Sequence, residues 1–188
     1  MRDWLRRVRQ GLAGQGSDPG SRIARDDARR IDRLRARGVT IGAGCRIYTD
    51  QFSTEPWLVT LGDNVNVAGG VCFLTHDGAA RLLAGRRPRL QVLGRIVVGS
   101  RCFIGHNAML LPGTVLGDDC IVGAGAVVRG RIADNSLVVG NPGRVEGRAS
   151  LYLEMLLRSP GAVDSFGLDE PDRRRMIELH FKEDGHGS

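Results

Sequence analysis

A mainly β fold, a parallel β-helix with flanking N- and C-terminal α-helices, is the fold class this sequence predicts, on three observations. Val98, Ile104, Leu110, Leu116, Val122 and Val128 recur every six residues. Gly99, Gly105, Gly117 and Gly123 follow four of them, and small or medium residues (Cys102, Ala108, Thr114, Cys120, Ala126, Ile132) sit four places on. Glycine is abundant, at 27 residues, and aromatics are few, as tight corners and small inner positions require. A helix asks for a period near 3.6 and a strand for a period of 2, so a period of six belongs to neither. One hexad makes one short side of a coil. It cannot bury its own apolar face, but stacked coils can.

The basic segment 1–38 comes first. It holds eleven Arg against five Asp, which accounts for the whole net charge of +6. Arg2 to Leu12 predicts a short amphipathic helix with Trp4, Leu5 and Val8 on its apolar side. Such a helix suits either a membrane-surface contact or packing against a partner. No apolar run follows these charges as in a secretory signal, and no run approaches the length of a membrane span, so the expected location is the cytoplasm. Gly11 to Gly20 is a break. Asp26 to Arg37 predicts a second helix, with Ala28, Ile31 and Leu34 at helical spacing.

The β-helix is expected over 39–148. Its beat opens at Ile41, Ile47, Leu61, Val67 and Phe73, with Cys45, Val65 and Val71 at inner positions. Ile47 and Leu61 are fourteen apart, so two extra residues bulge within Ser53 to Thr60. After Phe73 the beat lapses, returning at Val92 with Ile96 four later. Residues 79–91 then form a loop thrown out of the coil, carrying Arg81, Arg86, Arg87 and Arg89. It is either a binding element or a tolerated insertion. With Val92 counted as a rung and three hexads per turn, the Phe73 hexad lies against the Ile104 hexad. That register stacks Asn107 over His76, with His106 beside it. Residues 149–188 are expected to form a helical cap. Ser150 to Arg158 predicts a helix packed on the solenoid, Pro160 and Gly161 break it, and Asp169 and Pro171 open a helix over Arg173 to Phe181 that is placed to cap the last coil.

Cys45, Cys72, Cys102 and Cys120 show no C-x-x-C spacing and read as free, buried, small hydrophobes. Of the four histidines, His180 falls in the terminal helix and His186 in the tail. His76 differs, because it lies in Phe73-Leu74-Thr75-His76-Asp77-Gly78 where the repeat gives way to the basic loop. An imidazole is the side chain best suited to take a proton from a hydroxyl near neutral pH. Asp77 is adjacent, and neighbours on a strand point to opposite sides. The orienting partner of His76 is therefore expected to be a backbone carbonyl or a more distant acid.

The segment Ile96-Val97-Val98-Gly99-Ser100-Arg101-Cys102-Phe103-Ile104-Gly105-His106-Asn107-Ala108 continues into Leu111-Pro112-Gly113-Thr114 and Val122-Gly123-Ala124-Gly125-Ala126. It closes on Val139-Gly140-Asn141-Pro142-Gly143-Arg144-Val145. With the Thr75-His76-Asp77-Gly78 segment, this resembles the hexapeptide-repeat acetyltransferases. Within them it looks like the maltose, galactoside and nodulation-type sugar O-acetyltransferases and their relatives in capsule and O-antigen modification. The resemblance implies a left-handed coil, against the usual right-handed crossover, and a homotrimer with sites in the grooves between subunits. It implies acetyl-CoA as donor, a saccharide hydroxyl as acceptor and no metal or nucleic acid. It places the general base on His76, with direct transfer and a backbone amide at the developing oxyanion.

Donor-binding positions implied by the resemblance fall on Gly105, His106, Ala124, Arg129, Asn141, Pro142 and Arg144. His106 stands where Ser or Ala is usual, and Arg129 where Thr or Ser is usual. Arg144 suits a phosphate or is simply an exposed cation. Acceptor candidates are Asn64, Asn66, Asn107 and Asp77, with Asp50, Glu55 and Trp57 in or near the bulge. Trp57 either stacks on a sugar or covers a corner. Three other readings compete: an amino-sugar N-acetyltransferase on the same scaffold, a zinc carbonic anhydrase and a non-enzymatic binding module. The anhydrase needs three converging histidines, and the solenoid holds only His76 and His106.

Overall fold

The computed structural model describes residues 19–183, with side-chain surroundings from 27 to 182. They divide into two compact units, residues 27–162 and a second that includes 163–183. In the first unit the backbone winds through three sheets. Sheet A holds β1 (Thr40–Ile41), β3 (Val59–Leu61), β6 (Ile96–Val98), β9 (Val115–Leu116) and β12 (Arg131–Ile132). Sheet B holds β2 (Arg46–Ile47), β4 (Asn66–Val67), β7 (Phe103–Ile104), β10 (Ile121–Val122), β13 (Ser136–Val139) and β14 (Arg144–Arg148). Sheet C holds β5 (Cys72–Phe73), β8 (Met109–Leu110) and β11 (Val127–Val128). Every pairing is parallel except β13 with β14, so the chain visits A, B and C in turn and climbs one rung per circuit.

The six-residue beat supplies the core. Every beat residue from Ile41 to Val128 except Val92 is buried, as are the inner residues Cys45, Val65, Val71, Cys102, Ala108, Thr114, Cys120 and Ala126. Ile132 is only partly buried. The inner polar groups are satisfied locally. Thr114 Oγ1 donates to Val128 O at 3.0 Å, and the Cys102 and Cys120 thiols donate to Gly117 O and Ala133 O at 3.1 Å. Corner residues turn the chain with left-handed backbones: Asn64 (φ 55°), Arg101 (φ 56°), Asn107 (φ 58°), Asp119 (φ 57°) and Asn135 (φ 56°). Asn and Asp tolerate that region because a short polar side chain can bond locally.

Val92 is not a rung. It is 48 % exposed, and the wall resumes at Ile96. The register expected from the sequence is therefore off by one side of the prism. Phe73 pairs with Leu110, and Ile104 pairs with Val67. Asn107 consequently lies over Gly69 and Gly70, with its N–H on Gly69 O at 3.1 Å, and does not stack on His76. The loop leaves the coil between Phe73 and Ile96, begins with a 3-10 segment (Gly78–Leu83), and is exposed almost throughout.

Helix α1 (Pro19–Ala36) begins inside the expected Gly-rich break. Leu34 is buried and Ile31 partly so, whereas Ala28 is exposed. Its arginines satisfy the open edge of the first coil, where no further rung exists: Arg30 Nη1 donates to Ile47 O and Arg35 Nη2 to Ile41 O, both at 2.9 Å. Edge strands need such cover. The basic helix expected over Arg2 to Leu12 lies outside the described residues. At the other end β14 folds back on β13 and covers the edge of sheet B. Helix α2 (Ala149–Leu157) meets the solenoid at its first turn, where Ala149 is buried and the Ser150 N–H donates to Asn135 Oδ1 at 2.8 Å; beyond it Leu151, Leu153, Met155 and Leu157 are all exposed. In the second unit, α3 (Glu170–Glu183) starts where Asp169 Oδ1 accepts the Asp172 N–H at 3.0 Å. Among the described residues no helix is long and apolar enough to cross a membrane.

The bulge after Ile47 is where an aromatic enters the core. Phe52 and Phe73 are fully buried and stack with centroids 4.5 Å apart. Truncating Phe73 to Ala removes one side of that stack and leaves a cavity. The expected cost is about 3–5 kcal/mol in urea denaturation; a loss below about 1 kcal/mol would contradict the packing described.

Candidate active site

Two departures from the hexad rule meet at one point. The insert after Phe52 carries Ser53, Thr54 and Glu55 and turns back through a 3-10 segment (Pro56–Leu58). On the coil above, the basic loop leaves the wall after Thr75 and His76. Phe73 N–H donates to Gln51 O at 2.9 Å, so the stacking of the two coils sets one departure beneath the other. The loop stem is tied antiparallel to the same place: Asp77 N–H reaches Val92 O at 2.9 Å, Gly94 N–H reaches Thr75 O at 2.8 Å, and Leu93 bridges His76.

The result is an imidazole held from one side. His76 Nδ1 lies 2.9 Å from Glu55 Oε2, with Ser53 Oγ at 3.3 Å and Thr54 Oγ1 at 3.4 Å. A carboxylate only accepts, so Nδ1 carries the proton, and in the neutral ring the lone pair is then on Nε2. Glu55 is itself fixed: Thr54 Oγ1 donates to Oε1 and the buried Thr75 Oγ1 to Oε2, each at 2.7 Å. Hydrogen bonds from the Thr54 hydroxyl, then the Thr75 hydroxyl and the His76 ring, hold its carboxyl at about 2, below the usual 4.5, against the opposing effect of burial. The Glu55 side chain is 13 % exposed while that of His76 is 39 % exposed, so the carboxylate is the more sheltered of the two.

Glu55 is thus the more distant acid that orients His76. The sequence placed it only loosely, in the bulge; the fourteen-residue step from Ile47 to Leu61 was the available signal. Asp77 plays another part, since its side chain accepts the Ala79 N–H at 3.0 Å and starts the 3-10 segment. Asn64 and Asn107 turn corners, and Asn66 lies on the outer face of β4 in sheet B. None of these three contacts His76. Trp57 is 60 % exposed and lies against Gly38, over the start of the first coil.

Most of the donor-binding candidates collect on a different edge of the prism, between sheets B and C. His106 lies over Gly69, whose added Cβ would come 2.9 Å from the ring. Gly125 N–H donates to His106 O at 2.8 Å, and Val127 N–H to Gly140 O at 3.0 Å, so His106, Ala124 and the Asn141–Pro142 corner form one column. Gly105 is buried because the next coil passes close; a Cβ there would sit 2.6 Å from Ala124 N. Ala124 and Gly125 leave the edge low and exposed. Among the described residues the His106 and Ala124 N–H groups make no hydrogen bond. Small side chains and free outward amides fit a thin, amide-bearing chain. Arg129 belongs instead to the edge of His76, two coils above Leu74, and Arg144 is exposed on β14 opposite Val139.

Residues 95–130 match a family model described as bacterial transferase hexapeptide (six repeats). The chain is 37 % identical over 155 residues to Protein CapG of Staphylococcus aureus, covering 81 % of this chain and 89 % of that one. It is 32 % identical over 110 residues to galactoside O-acetyltransferase of Escherichia coli (strain K12), covering 57 % and 54 %. A hexapeptide-repeat acetyltransferase of Vibrio cholerae, solved in complex with acetyl coenzyme A, superposes with a TM-score of 0.50 at 24 % identity, over 60 % of this chain and 61 % of that one. That likeness is one of fold, a left-handed β-helix.

The Glu55 geometry sets a pH dependence of stability. The unfolded chain protonates this carboxyl near 4.5, whereas the folded chain resists until about 2. The unfolded state binds more protons in that window, so the stabilisation is complete above it and is lost as pH falls through it. Urea denaturation at pH 6 and pH 3 is expected to show a smaller acid loss for Glu55→Gln than for the wild type. Equal losses would show that the carboxylate is not held as described.

Proposed function

The chain belongs to the hexapeptide-repeat acetyltransferase family, and from that premise we propose that it moves an acetyl group from acetyl-CoA to a hydroxyl of a saccharide. The observation that carries this reading is the His76–Glu55 pair at 2.9 Å, with the ring 39 % exposed and its far nitrogen making no hydrogen bond among the described residues. Nε2 would take the proton from the acceptor hydroxyl as its oxygen bonds to the thioester carbonyl carbon; the C–S bond breaks, and the imidazolium returns the proton to the departing thiolate. The Glu55 carboxylate stabilises the imidazolium that forms and keeps the ring in the tautomer that accepts. General-base catalysis of this kind is worth about 10²–10⁴-fold.

Acetyl-CoA supplies an activated thioester carbonyl. The chain's own residues suited to hold it are the His106 and Ala124 amides, Gly105, Asn141 and Pro142 on one edge, with Arg129 and Arg144 as phosphate partners. Transfer is direct, without an acyl-enzyme. The Ser53 and Thr54 hydroxyls lie against Nδ1, not Nε2, and the Cys45, Cys102 and Cys120 thiols are buried on backbone carbonyls. The name of the galactoside relative supports a sugar hydroxyl as acceptor, and the acetyl-CoA complex of the Vibrio neighbour supports the donor. The base and the amide-lined column occupy two edges of one prism. A homotrimer, in which the edge of one copy lies beside that of the next, completes the site. A cytoplasmic location accords with the proposed use of acetyl-CoA.

Thiol release from acetyl-CoA, measured with a panel of sugars, amino sugars, nucleotide sugars and small alcohols, tests this reading. His76→Ala is expected to lose about 10²–10⁴-fold in kcat with its melting temperature unchanged. Glu55→Gln is expected to lower kcat in the same direction while leaving the KM for acetyl-CoA near that of the wild type. Full turnover by a folded His76→Ala variant would remove the imidazole from the chemistry.

A further inference from the structure

The loop beside His76 has a charge pattern that a neutral acceptor does not explain. From Gly78 to Val98 the chain holds Arg81, Arg86, Arg87, Arg89 and Arg95 and neither Asp nor Glu. Among the described residues none of these five guanidiniums has an ion pair or a side-chain hydrogen bond. Exposed arginines without an ion pair among the described residues occur elsewhere too, Arg129 and Arg144 among them, whereas Arg101 lies 2.6 Å from Asp119 and Arg174 2.8 Å from Glu178; the loop differs in holding five arginines with no carboxylate among them. Crowded like charges repel, and an arrangement of this kind is relieved by an anion.

The loop surface is also concave. An open cleft of about 630 Å³ is lined by Arg87, Pro88, Arg89, Leu90, Gln91 and Leu93. That is within the range of small-molecule sites. Leu93 is the residue that bridges His76, so the cleft begins beside the base. Its polar lining is the Arg87 and Arg89 guanidiniums and the Gln91 amide. Guanidinium forks bind phosphate oxygens in pairs, and two of them match the charge of a diphosphate.

We propose that the acceptor is a saccharide carried on a diphosphate, and that Arg87 and Arg89 hold the diphosphate while His76 addresses a sugar hydroxyl. This rests on the acetyl-transfer reading for the role of His76, but the anion site stands on the loop alone. Two sources share this chemistry, a nucleoside-diphosphate sugar and a polyprenyl-diphosphate saccharide.

Two measurements test it. In the first, inorganic pyrophosphate is titrated calorimetrically into enzyme saturated with CoA, so that the donor's phosphate sites are filled. Binding to the wild type that weakens at least tenfold in R87Q/R89Q is expected; no binding, or equal binding to both, overturns the proposal. In the second, thiol release is compared for a free sugar, its nucleoside-diphosphate form and its polyprenyl-diphosphate form. A kcat/KM at least tenfold higher for a diphosphate-linked form is expected, lost in R87Q/R89Q through the acceptor KM; whichever form wins names the source. A rise in the KM for acetyl-CoA instead overturns the proposal, because the loop then serves the donor. Thiol release that ignores the diphosphate overturns the anion site and leaves acetyl transfer standing. Arginine-dependent pyrophosphate binding with no thiol release from any acceptor upholds the anion site and overturns acetyl transfer. Circular dichroism melting of R87Q/R89Q, expected to match the wild type because both side chains are exposed, separates a binding defect from unfolding.

Discussion

Each rung of this chain has its backbone satisfied only by the rungs above and below it. That constraint produces nearly everything else. Ile104 pairs with Val122, eighteen residues on, and Leu110 with Val128 at the same offset. An offset repeated so strictly permits only small inner residues and corners that turn sharply. Insertions are tolerated only where the chain can leave and rejoin the wall without disturbing a pairing. The chain does so conspicuously at two places, after Phe52 and after His76. Stacking sets one above the other, so the positions freed from packing are the ones available for chemistry.

At that place the polar groups are organised from the inside outward. Buried Thr75 and exposed Thr54 fix the carboxylate of Glu55, Glu55 fixes the ring of His76, and the ring's other nitrogen makes no hydrogen bond among the described residues. A carboxylate with three donors within 2.9 Å stays charged throughout the neutral range, which is what an orienting partner must do. The burial that would raise its pKa is outweighed by those hydrogen bonds.

The wall was readable from sequence because a period of six has no competitor: the burial of Val98, Ile104, Leu110, Leu116, Val122 and Val128 follows directly from it. What failed was the phase across the loop. Val92 sits at the right spacing from Val98, but spacing alone cannot distinguish a rung from a stem, and Val92 serves as a stem paired to Asp77. That single residue shifted the register and put Asn107 over the wrong neighbour. His76 was legible as a histidine where a repeat breaks. Its partner was not, because Glu55 lies twenty-one residues earlier, in an insert with no periodicity to place it. The edge between sheets B and C was half legible: small residues at Gly105 and Ala124 showed in the sequence, whereas the alignment of His106, Ala124 and Asn141 into one column depends on three-dimensional stacking.

The account turns on which nitrogen of His76 holds the proton. Long-range ¹⁵N–¹H correlation spectra at neutral pH, with His76 assigned by its loss in His76→Ala, report this directly. The expected spectrum shows a protonated Nδ1 and a bare Nε2, with that preference weakened in Glu55→Gln. A wild-type ring protonated on Nε2 would contradict the account, since the nitrogen facing the acceptor would then have no lone pair to offer.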